Sequence, residues 1–144
     1  MMSNDADADA AIHALVDANR LLRDAGERVA VAAGQTHARR MVLQAAQPLA
    51  TVADIARALG LQRQGVQRIA DELVNEGLAL YQDNPRHKRS KLFGVADPGR
   101  SVLAQIQDGH AAWLRELKGG APDIDWSSLR TELETLATSL RDRP

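Results

Sequence analysis

Residues 51–95 read TVADIARALGLQRQGVQRIADELVNEGLALYQDNPRHKRSKLFGV, and the order of signals in this stretch decides the fold. Thr51 and Asp54 have the T-x-x-D spacing of a capping box, in which the Thr51 hydroxyl accepts the amide of Asp54. Val52, Ile55, Ala56 and Leu59 follow on one helical face. Gly60 comes directly after them and suits the left-handed residue that ends a helix. A second helix begins near Gln62 and carries Val66, Ile69, Ala70, Leu73 and Val74 as one apolar stripe. Gly77 ends it, and Leu78 is placed to pack back over its last turn. Two short helices joined by a glycine-containing turn make a helix-turn-helix.

Two strand candidates come next, residues 78–82 and 91–95, each with recurring apolar residues and one aromatic, Tyr81 and Phe93. Between them lies DNPRHKRS, in which Asp83, Asn84 and Pro85 are turn formers. Arg86, Lys88, Arg89 and Lys91 put four positive charges within six residues, and His87 is a titratable fifth. A basic hairpin tip can blunt an edge strand. This density of charge favours contact with phosphates or a minor groove. The expected fold is mainly α with a small antiparallel β-wing, a winged helix-turn-helix.

The outward face of the second helix carries Arg63, Gln64, Gln67 and Arg68. Arginine can contact guanine through two hydrogen bonds, and glutamine can do the same with adenine. Each of these residues alone is an ordinary solvent-facing helix residue. Four on one face, ahead of a basic hairpin, point to DNA. Gly65 sits among them, where glycine costs about 1 kcal/mol against alanine. Close approach of backbone to DNA would account for it.

At this point the chain resembles the DNA-binding core of the MarR family, the multiple-antibiotic-resistance regulators. The resemblance is carried by ADIARALGL, by VQRIADELVNEGL, by the wing with Arg89 near its tip, and by Asp97-Pro98-Gly99-Arg100. The family usually has an acidic residue two positions before the wing arginine. His87 stands there instead, so the usual Asp–Arg pair is absent and the tip is more basic.

Charge supports the same division. Residues 34–100 hold ten Lys/Arg against six Asp/Glu, whereas the remainder holds eight against thirteen. A basic middle between acidic ends is a local electrostatic footprint, although the whole chain is at −1. With no cysteine, disulfides, thiol redox sensing and cysteine-bound zinc are excluded. No apolar run reaches the length of a membrane span, and the acidic, alanine-rich start lacks a signal pattern. A cytoplasmic location is expected.

Outside the head the chain reads as helix. Residues 1–7 are expected to form a loose tail, followed by a helix over about 9–33 with Ile12, Leu15, Leu22 and Val29 on one line. Asn19 and Gly26 share that line; a polar residue there can set register, bond a carbonyl or sit at the seam's edge. The next helix spans about 36–47, with Ala38, Met41, Val42 and Ala45 inward and Pro48 ending it. Arg39 and Arg40 read as a solvated pair, with DNA phosphates as the other reading. Leu49 and Ala50 can add a short strand beside the wing, as the resemblance implies. Asp97 and Pro98 start a long helix carrying Leu103, Ile106, His110, Trp113 and Leu117, broken by Gly119, Gly120 and Pro122. A last helix begins near Asp125 or Ser127. Its seam of Trp126, Leu129, Leu133, Leu136 and Leu140 wants a partner.

The organisation read from this is one domain over residues 1–144. Residues 34–100 form the winged helix-turn-helix, and 1–33 and 101–144 form N- and C-terminal dimerisation helices. Leu15, Leu22 and the leucine seam would line the interface. The resemblance implies a triangular homodimer on a pseudo-palindromic site in double-stranded DNA, its recognition helices about one DNA turn apart. It further implies a transcription regulator, a repressor released by a small aromatic effector seated between the dimer helices and the head. His13, His37, Tyr81, His110 and Trp113 are the candidates for that seat. DNA contacts are expected from Arg63, Gln64, Gln67, Arg68, Arg86, His87, Lys88, Arg89 and Lys91. No histidine spacing suits a metal, and no phosphate loop or nucleophile elbow occurs, so neither a cofactor nor enzyme activity is expected. The rival reading is a winged-helix module that binds another protein; it would lack the steep salt dependence of phosphate binding.

Overall fold

The computed structural model describes residues 2–143. In chain order the elements are α1 (Met2–Ala32), α2 (His37–Ala45), β1 (Ala50–Thr51), α3 (Val52–Leu59), α4 (Arg63–Asn75), β2 (Ala79–Gln82), β3 (Leu92–Val95), α5 (Asp97–Gly120) and α6 (Trp126–Arg141). The sequence reading takes residues 1–144 as one domain. The packing divides them into two compact units, one running to His110 and one from Ala111 onward, with the division inside α5.

Local signals set the elements of the head. Thr36 caps α2 by accepting the Arg39 amide at 3.1 Å, and Thr51 caps α3 by accepting the Asp54 amide at 3.1 Å. Gly60 ends α3 at φ 66°, a left-handed conformation that glycine adopts without a Cβ clash. At the end of α4 the Leu78 amide donates to the Leu73 carbonyl at 2.9 Å, turning the chain into β2. The sheet is antiparallel in the order β1-β3-β2, with Tyr81 opposite Phe93 and Ala50 on the other side of Phe93.

The core lies where α2, α3 and α4 close over this sheet. Leu43, Ile55, Val66, Leu73 and Phe93 are its large buried side chains, with Val42, Ala70 and Ala79 between them. Burying side chains of this size contributes about 1.5–3 kcal/mol each. Gly99 marks the tightest approach around it. A Cβ there would lie 2.0 Å from the Leu78 carbonyl oxygen and 2.8 Å from Val95 Cγ1.

The structure corrects the sequence reading in four places. α1 begins at Met2, so residues 2–7 are helix rather than loose tail; Met1 lies outside the described residues. Alanine is the strongest helix former, and Asp5 in the first turn complements the helix dipole. α5 runs through Gly119 and Gly120 and stops only before Pro122. It also begins at Asp97, so that residue lies inside the first turn, where it pairs with Arg100. Arg39 and Arg40 are not a solvated pair: Arg39 forms an ion pair with Glu76, and Arg40 is buried. α2 packs against α1, α3 and α4, which leaves it little open face.

Two glycines test this packing in opposite directions. Gly99→Ala should lower stability by about 1–3 kcal/mol, because backbone and a buried side chain must move. Gly65→Ala should raise it by about 0.5–1 kcal/mol, because a Cβ there, in the first turn of α4, meets nothing within 4 Å and alanine loses less backbone freedom on folding. Urea denaturation of the two variants beside the parent chain measures both signs.

Candidate nucleic-acid interface

α4 turns its buried stripe of Val66, Ile69, Ala70 and Leu73 inward, and the opposite face is left to solvent. Arg63 and Gln64 open this face and make no side-chain hydrogen bond or ion pair among the described residues. Arg68 is exposed and donates from Nη1 to Glu72 Oε1 at 3.1 Å, one turn further on. Gln67 differs from both. Its Nε2 donates to Asp71 Oδ1 at 3.0 Å and to the Tyr81 hydroxyl at 3.0 Å. The Tyr81 hydroxyl in turn donates to Asp71 Oδ1 at 2.6 Å. Helix and wing are thus joined by two hydrogen bonds, both to the Tyr81 hydroxyl, and a third within α4 closes the set. Burial, and then the bond to Asp71, raise the Tyr81 hydroxyl above the ordinary tyrosine range, so it stays protonated as a donor.

The wing's turn is organised by Asn84. Its Oδ1 accepts the Arg86 amide at 3.0 Å, and its carbonyl accepts the His87 amide at 3.2 Å. Arg86, His87, Lys88 and Arg89 stand exposed beyond it, and Lys91 precedes β3. Among the described residues none of Arg86, Lys88, Arg89 and Lys91 is in an ion pair. Between wing and helix lies a groove of about 270 Å³ lined by Arg63, Gln67, Tyr81, Arg89, Ser90 and Lys91, with Thr51 and Ala53 at its edge. Three cations without a carboxylate partner in one concave site make it suited to an anionic polymer.

The structure assembles these residues unevenly against the sequence reading. Arg63, Gln67, Arg89 and Lys91 come together in the groove. Gln64, Arg68, Arg86, His87 and Lys88 lie on the exposed surfaces on either side. Tyr81 belongs to the groove and to Gln67. Asp71 was not legible as a site residue, although its i,i+4 spacing from Gln67 was a usable signal. Nothing local pairs Tyr81 with α4.

The other effector candidates are not among the residues that line this groove. His13 is exposed on α1, with Nδ1 2.9 Å from the Asp9 carbonyl. His37 opens α2 with its ring against Gly26 of α1, where a Cβ would meet its Nδ1 at 2.9 Å. The His37 amide donates to Glu27 Oε2 at 2.9 Å. His110 closes the first unit and Trp113 belongs to the second; both are half-buried. Of the apolar residues read as an interface, Leu15 and Leu22 are exposed on α1, and Trp126, Leu133 and Leu140 on α6. Leu129 and Leu136 are half-buried, and no residue of α6 is fully buried.

Among the described residues there is no group of His, Asp or Glu that could hold a metal ion, and no helix is long and apolar enough to cross a membrane.

A helix-turn-helix with a basic wing is the class that this fold and groove define. Known proteins agree. The MarR family profile matches residues 41–90. An uncharacterized protein of Mycobacterium tuberculosis, Rv2011c, is 37% identical over 126 residues, covering 86% of this chain and 88% of that protein. The crystal structure of the MarR family transcription regulator SP03579 is similar at a TM-score of 0.86 with 24% identity, over 99% of this chain and 95% of that one. The transcriptional repressor CouR bound to a 23-mer DNA duplex is similar at 0.71 with 23% identity, over 89% of each chain. CouR from Rhodococcus jostii RHA1 bound to p-coumaroyl-CoA is similar at 0.70 with 19% identity, over 90% and 91%. The chain belongs to the MarR family and has the fold of its transcription regulators.

His37 gives this fold a pH dependence. Burial lowers its pKa below the ordinary histidine value, Arg40 and Arg23 lower it further, and Glu27 opposes them. The unfolded chain therefore binds the proton first as pH falls. Stability from the neutral ring is full above the ordinary value, about 6.5, and is lost as pH falls through the lower folded value. The urea midpoint should drop between pH 7 and pH 5, and His37→Gln should make that drop smaller.

Proposed function

We propose that the chain is a homodimeric, sequence-specific DNA-binding transcription regulator, a repressor released by a small aromatic effector. The observation that carries this is the groove between α4 and the wing. Its cations Arg63, Arg89 and Lys91 have no carboxylate partner, and they flank a helix whose outward face is polar. α4 would lie in the major groove, with Arg63, Gln64, Gln67 and Arg68 reading or anchoring it. Arg86, His87, Lys88, Arg89 and Lys91 would reach the neighbouring minor groove or its phosphates. The DNA-bound state of CouR, a protein of similar fold, supports this use of the head.

The homodimer reading rests on apolar side chains left exposed in one copy. Leu22 is 51% exposed on α1, and Leu140 is 63% exposed on α6. Rows of this kind at helical spacing are what an interface between helices requires. Two copies would set the two heads for a pseudo-palindromic operator.

The effector reading draws support from CouR with p-coumaroyl-CoA and from polar atoms around the start of α2. Gln35 Oε1, His37 Nδ1 and Arg40 Nε are buried without a hydrogen-bond partner among the described residues. Buried polar groups are ordinarily satisfied, so a polar group of a ligand would find bonds there. His37 is the candidate best placed to meet one, and His13, Tyr81, His110 and Trp113 complete the proposed set. Such a ligand must prefer one spacing of the heads over another in order to change DNA affinity.

Selection on random duplex DNA, followed by titration at two salt concentrations, tests the core of this reading. A two-fold-symmetric site bound with a steep salt slope is expected. Lys88→Ala should weaken all duplexes alike and reduce the slope by about one unit, whereas Gln64→Ala should lower the ratio of specific to non-specific affinity. Weak binding that ignores salt would turn the assignment toward a protein partner.

Dimerisation is tested separately by sedimentation. The parent chain should sediment as two copies. Leu22→Glu combined with Leu133→Glu should give one copy with an intact helical spectrum, because charges are then buried at the seam.

A further inference from the structure

We infer that Gly65 is left bare so that the first turn of α4 can press against base edges in the major groove, which makes it a specificity-determining position. The inference rests on the DNA-binding reading above and adds to it a residue that the reading leaves out.

Inside a folded chain, glycine ordinarily answers to a positive φ or to a neighbour that comes too close for a Cβ. This chain has ten glycines. Three have positive φ, four stand where a Cβ would meet another residue within 4 Å, and two close α5. Gly65 falls in none of these groups. It is the third residue of α4, its φ is not positive, and a Cβ there would meet nothing within 4 Å. Alanine would fit the space and hold the helix better. Among the described residues, then, nothing calls for glycine at this position. A surface that arrives from outside does.

The location of Gly65 says which surface. It is exposed, beside Gln64 and three residues before Arg68, which are exposed as well. The first turn of α4 contains no acidic residue, and Arg63 and Gln64 in it are unbonded among the described residues. When a recognition helix enters a major groove, its N-terminal residues are the ones that meet base edges. The groove is about 12 Å wide and a helix with its side chains is about 10–12 Å across, so the fit has little to spare. A glutamine amide bonds a base edge only at about 2.7–3.2 Å. Omitting the side chain on one flank of the first turn lets the helix sit deeper and brings Gln64 within that distance. Binding to arbitrary sequence is held by phosphates and does not need this depth. Gly65 therefore acts on specific binding and leaves the general kind alone.

The test uses the full chain, the duplex obtained by selection and a scrambled duplex of the same length. Gly65→Ala and Gly65→Val should be at least as stable in urea as the parent, because both residues form helix better than glycine. Gly65→Ala should nonetheless bind the selected duplex about five- to a hundredfold more weakly, the effect of one added methyl in a close-packed contact. Gly65→Val should bind it more weakly still. On the scrambled duplex both should match the parent in affinity and in salt slope, since no charge changes. Selection repeated with Gly65→Ala should return a site altered at the base pairs that the first turn faces in each half.

Full affinity of Gly65→Ala for the selected duplex would overturn the inference. A loss of equal size on both duplexes would also overturn it, by setting the sugar–phosphate backbone against Gly65 instead of base edges. So would a repeated selection with unchanged preference at every position. A Gly65→Ala variant less stable than the parent would show that the fold itself needs the glycine, and the inference would fall with its premise. All four results leave a DNA-binding regulator in place. A parent chain that selects no sequence at all defeats the DNA-binding reading itself.

Discussion

α4 has to satisfy two solvents at once, and the rest of the head depends on how it does so. Val66, Ile69, Ala70 and Leu73 are buried on one side, and on the other Arg63, Gln64 and Arg68 are exposed. Rotating the helix by one residue, about 100°, would drive a charged or amide side chain into the core. Burial contributes about 1.5–3 kcal/mol per large apolar side chain, whereas an exposed ion pair contributes about 0–1 kcal/mol. The rotation of the reading face is therefore set from behind, by residues that never meet a ligand.

The wing obeys a related rule, with its two aromatics dividing the work. Phe93 is fully buried and fixes β3 to the core. Tyr81 stands opposite it, ring centroids 5.8 Å apart and tilted by 59°, so its ring shares the apolar contact while its hydroxyl reaches Asp71. The turn beyond has no apolar anchor and is held by the side chain and carbonyl of Asn84. Its cations consequently extend into solvent without carboxylates to quench them. The absence of the wing's usual acidic residue makes this stronger, since His87 occupies its place.

Much of this was legible in the sequence because the signals are local. Thr51, Gly60 and Gly77 punctuate the helices through contacts within a few residues, and the apolar spacing of α3 and α4 states which face is inward. The basic hairpin announces itself by density of charge. What escaped depends on distant partners. Arg40 looks like any surface arginine until α1 and α4 close around α2. The bond between Gln67 and Tyr81 has no local signal, because the hairpin brings together residues fourteen positions apart. Helix extent failed for a different reason: nothing in the alanine-rich start distinguishes a tail from a helix except propensity, and propensity is a weak prior.

The four polar residues that the sequence sets side by side on α4 are thus not equivalent. Arg63 and Gln64 are unbonded and must be ordered by whatever they bind. Arg68 must give up an exposed i,i+4 pair with Glu72, an exchange of about 0.2–0.5 kcal/mol. Gln67 is already ordered by two bonds before any partner arrives. Immobilising a flexible side chain on binding costs about 0.5–1.5 kcal/mol, so a preordered amide contributes more of its hydrogen bond to net affinity than a mobile one does. Long arginines and lysines adapt to a backbone whose phosphates are everywhere alike, and mobility suits them. In this head the fixed amide lies beside flexible cations, and its fixity comes from the wing. The contact between hairpin and helix therefore orders a side chain on the exposed side of α4 as well as holding the fold together.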